Sequence, residues 1–155
     1  PKKAQDGVIF EYSEYSNYII SNICRLIKKY NGVFIIIDYA KKINDTNGTL
    51  TAIYKHKHVS PFYMPGQVDL SIRPDFDLIK KIAKLEKCQV IGPINQGLFL
   101  ETLGINERIE SLIKKNPELK DILLSQRNRL IKKDYMGEKF KVLIITQKKL
   151  EAFFK

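Results

Sequence analysis

The chain has 155 residues, 44% hydrophobic and 28% charged, with a formal net charge of +10. This suits one domain, or a large part of one, that buries roughly two-thirds of its unfolded-chain surface. No apolar run approaches the roughly 18 residues needed to span a membrane, so a water-soluble chain is expected.

Residues 7–12 are a short apolar run that reads as a possible strand, and Ser13-Glu14 follows as a helix N-cap with an acid in the first turn. Ile19, Ile20, Ile23, Cys24, Leu26, Ile27 and Tyr30 then recur at helical spacing, closed by Lys28-Lys29 and Asn31-Gly32. The next run, Val33-Phe34-Ile35-Ile36-Ile37-Asp38-Tyr39-Ala40, predicts a strand buried on both faces, as inside a parallel sheet. It ends in a carboxylate. In open α/β sheets ligands lie outside the carboxyl ends of strands, which places Asp38 well for function; the alternative is an Asp that caps the next turn.

Residues 41–48 read as a polar loop. Residues 50–59 alternate weakly and carry Lys55-His56-Lys57-His58, where two histidines two apart on an extended segment would share a face, as ligands or as an exposed basic edge. Ser60-Pro61 and Pro65-Gly66 punctuate an irregular segment before an apolar run at 68–72. Pro74-Asp75-Phe76 opens a helix with a core stripe of Leu78, Ile79, Ile82, Ala83 and Leu85. A strand follows at 89–94, then a helix from about 95 to 103 that stops at Gly104. Residues 105–133 are helical in pattern, broken near Asn116-Pro117 because proline disfavours a helical residue before it. Residues 140–145 read as another buried strand. The alternation of strands and helices is an α/β pattern.

Cys24 and Cys88 are the only cysteines. Both sit in apolar patterns, where a free thiol behaves as a small hydrophobe, so a reducing, cytoplasmic setting is expected. The first residues lack the apolar core of a secretory signal. With no Cys-x-x-Cys and no cysteine beside His56 or His58, no metal site is expected. Five of the 27 cations are arginine. The lysine-rich remainder fits compositional bias at least as well as a phosphate-binding face, which favours Arg with interleaved aromatics. A basic nucleic-acid-binding domain is therefore the lesser alternative.

Several blocks together carry a family resemblance. Glu11-Tyr12-Ser13, Ile37-Asp38-Tyr39, Thr49-Leu50 leading to His56, Pro65-Gly66 with Asp69-Leu70-Ser71, and Asp75-Phe76 occur in order. Gly92-Pro93-Ile94-Asn95-Gln96-Gly97-Leu98-Phe99-Leu100 with Leu103-Gly104-Ile105 and Arg108 is similar to a GPxxQGxFLxxLGIxxR segment. Met136-Gly137-Glu138-Lys139-Phe140-Lys141-Val142 is similar to MGExFKV. The chain thus resembles the MidA-like S-adenosylmethionine-dependent class I methyltransferases, a family that includes the mitochondrial complex I assembly arginine methyltransferase. Ala40 departs from the family's IDYG.

The resemblance implies the C-terminal portion of a Rossmann-like class I methyltransferase sheet with flanking helices, from its fifth strand onward, as a single or partial domain spanning 1–155. No Gly-x-Gly-x-x-Gly or P-loop occurs in the sequence, so the cofactor-loop half is expected to be absent and the chain alone is expected to bind no S-adenosylmethionine. The implied activity is protein-arginine methylation linked to complex I assembly. Asp38 and Tyr39 would form the substrate or cosubstrate pocket, His56 and Glu138 would be further catalytic candidates, and Asp69 and Gln96 would touch substrate. The structural alternatives are a backbone-carbonyl bond for His56, a helix cap or loop bridge for Asp69 and Gln96, and an ion pair with Lys139, Lys141 or another surface lysine for Glu138, and Gly92, Pro93, Gly97 and Gly104 read as turn and cap geometry. The implied partners are a protein substrate and either a separate N-terminal half or a second copy across an exposed sheet edge. A non-catalytic interaction module is the alternative from another class.

Overall fold

The computed structural model describes residues 6–40 and 48–148. The first helix, α1 (Glu14–Tyr30), starts where Ser13 Oγ accepts the backbone N–H of Ser16 at 3.2 Å. It ends at Asn31, which takes the left-handed conformation and donates its N–H to the Ile27 carbonyl. A tight turn leads straight into β1 (Val33–Tyr39). Only Ile20, Cys24 and Ile27 of α1 are buried, with Ile23 packed beside them. Ile19, Leu26 and Tyr30 lie off that stripe and are exposed.

The main sheet has three described strands in the order β1, β6 (Phe140–Thr146), β5 (Gln89–Asn95). Both outer strands run antiparallel to β6, in registers that set Val33 opposite Thr146 and Tyr39 opposite Phe140. The expectation of a strand buried on both faces inside a parallel sheet does not hold for β1. Its one described partner is antiparallel, and its residues alternate exposed and half-buried. The central strand is β6, where Val142, Leu143, Ile144 and Ile145 are all buried.

Helices cover both faces of β6. On one face α1 and α2 (Phe76–Leu85) pack Cys24, Ile27, Phe76 and Ala83 against Leu143 and Ile145. Each such aliphatic side chain removed from water contributes roughly 1.5–3 kcal/mol. Asp75 caps α2 by accepting the Leu78 N–H at 2.9 Å. Leu85, expected in the core stripe, is exposed. Lys28 ties the ends of α1 and α2 together, donating to the Glu86 carbonyl at 2.8 Å and its carboxylate at 3.2 Å. On the other face α3 (Gln96–Thr102) sets Phe99 on Val142 and Ile144. After α3 the chain forms α4 (Ile105–Lys115), a 3₁₀ turn at Pro117–Leu119, and α5 (Lys120–Ile131). The break falls at Asn116-Pro117, as expected. A wide π-type turn, Lys133–Gly137, then feeds β6.

The expected strand at 7–12 does not form: residues 8–13 are irregular and pair with none of the described strands. The polar loop lies, apart from Gly48, outside the described residues. Beyond it a separate three-stranded antiparallel sheet, here called the arm, contains β2 (Thr51–Tyr54), β3 (Lys57–Val59) and β4 (Asp69–Ser71) in the order β3, β2, β4.

Cys24 and Cys88 are buried free thiols, the Cys88 thiol donating to the Cys24 carbonyl at 3.8 Å. Burial, helped by the neighbouring Cys88, pushes the Cys24 thiol up to about 12. Because the raised value favours the neutral thiol of the folded chain, its stabilisation is complete below about pH 9 and is lost as pH rises toward 12. The urea stability of the wild type relative to Cys24→Ala should therefore shrink between about pH 8 and pH 10.5, while other titrations cancel in the comparison. A difference that stays constant would mean that the thiol is not held neutral by burial.

Candidate functional site

The carboxyl ends of β1 and β5 meet the amino end of β6 along one edge of the main sheet, and the register sets Asp38 opposite Lys141, which is opposite Asn95. A lysine facing an aspartate across strands would ordinarily pair with it. Instead Lys141 Nζ donates to Asn95 Oδ1. Asp38 Oδ1 accepts the adjacent Tyr39 N–H at 2.7 Å. This is a local turn-type bond that leaves carboxylate capacity unused, and among the described residues no cation pairs with Asp38.

The pleat sends Tyr39 to the opposite face from Asp38. There its ring packs on Phe140, with centroids 4.0 Å apart. The two predicted pocket residues therefore straddle the strand end, with Asp38 on the α1/α2 side and Tyr39 on the α3 side.

The arm is rooted at the same end of the sheet. Helix α1, roughly 25 Å long, doubles back through a two-residue turn beside β1, roughly 23 Å long, so its N-terminus lies toward the strand's carboxyl end. Just ahead of that N-terminus, Glu11 accepts from the Thr49 N–H at 2.5 Å, the Thr49 hydroxyl at 2.9 Å and the Leu50 N–H at 2.9 Å. Thr49 Oγ1 in turn accepts the Arg73 N–H at 3.0 Å. Glu11 and Thr49, 38 positions apart, thus fasten both ends of the arm just ahead of the α1 N-terminus. Neither was singled out as a functional residue. Their signal was only that both fall in blocks shared with the family.

The other predicted residues separate. His56 is exposed at the arm's hairpin turn and Asp69 is exposed on β4, paired with Ile53. His56 and His58 do not share an extended segment: Lys55 and His56 form the turn, with φ of 48° and 63°, and His58 lies on β3 opposite Ile53. Glu138 is exposed just before β6 and pairs with Lys133 at 3.8 Å, not with Lys139 or Lys141.

Gln96 is only 5% exposed, and its Nε2 donates to the Leu130 carbonyl at 2.9 Å. Its amide is committed to joining α3 to the end of α5. Gly97 and Gly137 complete that junction. A Cβ on either would fall 2.4 Å or 1.9 Å from the Ile131 carbonyl oxygen. The expectation of plain cap geometry at Gly97 is therefore corrected: the residue permits a close backbone approach. A groove of about 380 Å³ runs along α5, lined by residues including Asp121, Ser125, Arg129, Lys132 and Tyr135, and none of the predicted site residues lines it.

Residues 1–94 match the family described as "Putative S-adenosyl-L-methionine-dependent methyltransferase". Over 145 residues the chain is 30% identical to the mitochondrial protein arginine methyltransferase NDUFAF7 homolog of Drosophila melanogaster, covering 92% of this chain and 33% of that protein. It is 32% identical over 124 residues to mitochondrial NDUFAF7 of Mus musculus, covering 79% and 28%. The chain thus spans about a third of the length of the curated relatives it matches. Its fold is that of a Burkholderia thailandensis COG1565 superfamily member solved bound to S-adenosyl-homocysteine, with a TM-score of 0.79 at 21% identity over 97% of this chain and 39% of that one.

Proposed function

The chain belongs to the MidA-like family of S-adenosylmethionine-dependent methyltransferases, and on that premise we propose that it forms the acceptor-facing part of a protein arginine methyltransferase. The observation that carries this reading is the Asp38 carboxylate, which stands at a strand's carboxyl end with no cation partner among the described residues although Lys141 lies opposite it. A guanidinium is planar, permanently charged and suited to bidentate carboxylate contact, so Asp38 is fitted to hold an acceptor arginine and to accept charge from it. Tyr39 and Phe140 wall the other side of the strand end. S-adenosylmethionine, when bound, supplies an electrophilic methyl group on sulfur. The residues present fit the acceptor side of that transfer. They include no Gly-x-Gly-x-x-Gly turn of the kind that cradles a nucleotide. Positioning at near-attack distance supplies most of the acceleration in such in-line displacements.

The relatives' names extend the proposal to a mitochondrial location, and the family resemblance extends it to respiratory complex I assembly. The sequence expectation is a cytoplasmic setting, and the free thiols of Cys24 and Cys88 suit any reducing compartment. Subcellular fractionation decides between the two locations.

The test is calorimetric titration with S-adenosylmethionine of this chain alone and of its mixture with the portion matching the rest of the relatives. Binding only in the mixture, with labelled methyl found on arginine and lowered about 100-fold by Asp38→Asn, is the expected result. No binding in either sample, or label on another residue type, would sink the reading.

One observation favours a second reading, a non-catalytic module that pairs with a partner or itself. Val33, Ile35, Ile37 and Tyr39 are each close to half exposed on one face of β1, and the strand's outer edge is unpaired among the described residues. Sedimentation showing a stable dimer that binds no cosubstrate in any mixture would favour that module.

A further inference from the structure

We propose that the arm is a docking surface for an acidic, apolar-rich extended segment of the protein acceptor, an inference that rests on the protein methyltransferase reading. Its three strands pack chiefly on one another, and its base is fastened by Glu11 just ahead of the α1 N-terminus, which lies toward the carboxyl end of β1. A protein held on the arm is therefore positioned to present an arginine at that end.

The arm's chemistry identifies the occupant. Between positions 50 and 73 the one carboxylate is Asp69, against Lys55, Lys57, Arg73 and two histidines. Lys55, His56, Lys57 and His58 are exposed together at the tip. Lys55 Nζ lies 5.3 Å from the centre of the Tyr54 ring, and Tyr54 meets Tyr63 edge-on at 5.6 Å. Beside this pair Phe62 is 89% exposed. The turn that carries it is held by its backbone: the Phe62 N–H donates to Ser60 Oγ at 3.3 Å, and the Tyr63 N–H donates to the Ser60 carbonyl at 2.9 Å. A large ring presented to water from a hydrogen-bonded turn is an anchor whose backbone is already ordered when a partner covers it.

The outer edge of β3 is unpaired among the described residues and carries Lys57 and His58. An added strand would bond to that edge through its backbone, and its acidic side chains would meet the cations. The same cations suit nucleic acid. The single ordered anchor and an open strand edge favour a polypeptide, because single-stranded nucleic acid is usually held on successive stacking platforms.

The probe is a fluorescently labelled synthetic peptide of about ten residues alternating glutamate with phenylalanine or leucine, titrated with the whole chain. Anisotropy should report binding that weakens about tenfold in the double variant Lys55→Glu/Lys57→Glu and about tenfold from low to high salt. Phe62→Ser should weaken it by a similar factor at constant salt dependence. Circular dichroism and thermal melting confirm that both variants keep the fold. Absence of binding by the wild type, or binding that neither variant changes, overturns the proposal. Tighter binding of a single-stranded oligonucleotide of equal charge, lost in the same variants, overturns the choice of occupant. The peptide contains no arginine and the assay no cosubstrate, so the outcomes separate. Peptide binding without methyl transfer rejects the enzyme reading and leaves the dock. Methyl transfer without peptide binding rejects the dock.

Discussion

Gly137→Ala should destabilise the chain by roughly 2–4 kcal/mol, because its added methyl meets rigid backbone that must move. The methyl would fall 1.9 Å from the Ile131 carbonyl oxygen, 2.4 Å from its carbonyl carbon and 2.8 Å from the Lys132 oxygen. The Lys132 carbonyl already accepts the N–H groups of Tyr135 and Gly137 at 3.1 and 3.0 Å, so retreat of the turn breaks bonds that close it. The damage should spread. Gln96 and Gly97 rest on the same end of α5, and the turn leads directly into central β6. Gly66→Ala is the control: its φ is +84°, a left-handed value that Gly137 does not share, and nothing lies within 4 Å of its would-be methyl. Backbone strain alone should then cost about 1 kcal/mol. Equal urea midpoints for the two variants would show that the α3, α5 and turn junction is not the constraint described.

Glu11→Ala should loosen the arm while sparing the main sheet. The carboxylate accepts bonds from the Thr49 N–H, the Thr49 hydroxyl and the Leu50 N–H, and Thr49 is buried. Hydrogen bonds to a charged group each contribute about 1.5–3 kcal/mol, and donors left buried without a partner add to the loss. Because these bonds act together, a total of about 2–4 kcal/mol is expected, not their sum. Hydrogen exchange locates the effect. The amides of β2 should exchange faster by about two orders of magnitude, whereas those of β6 should change little. Uniform acceleration across both sheets would mean that the arm and the main sheet unfold as one unit. In the assembled enzyme the same variant should also weaken use of a protein acceptor if the arm docks it.

Much of the local architecture was legible in the residues. Ser13 and Asp75 marked helix starts, Asn31-Gly32 marked an end, and Asn116-Pro117 marked a break; each stands where the structure uses it. These signals are local, since caps and breaks depend on backbone groups within one helical turn. Helix faces were read less sharply. Leu26 and Leu85 fit helical spacing yet face water, because spacing defines a stripe and only the packed neighbour defines how wide it is.

The family and its α/β fold were likewise carried by residues, through ordered blocks whose physical meaning lay elsewhere in the chain. Gln96-Gly97 and Met136-Gly137 looked like two motifs and meet as one junction at the end of α5. Glu11 and Thr49 looked like the edges of two blocks and form one fastening.

By itself the sequence determined which segments are helix or strand in the main sheet, the strand-tip carboxylate at Asp38 and the family. Tertiary structure alone decided that β6, and not the equally apolar β1, is central. It also decided that Lys141 turns from Asp38 to Asn95 and that His56 and Asp69 belong to an arm apart from the main sheet. The reason is physical: an apolar run records that a segment can form a strand, whereas how much of it is buried and which strand lies beside it are set by long-range pairing and the helices that cover each face.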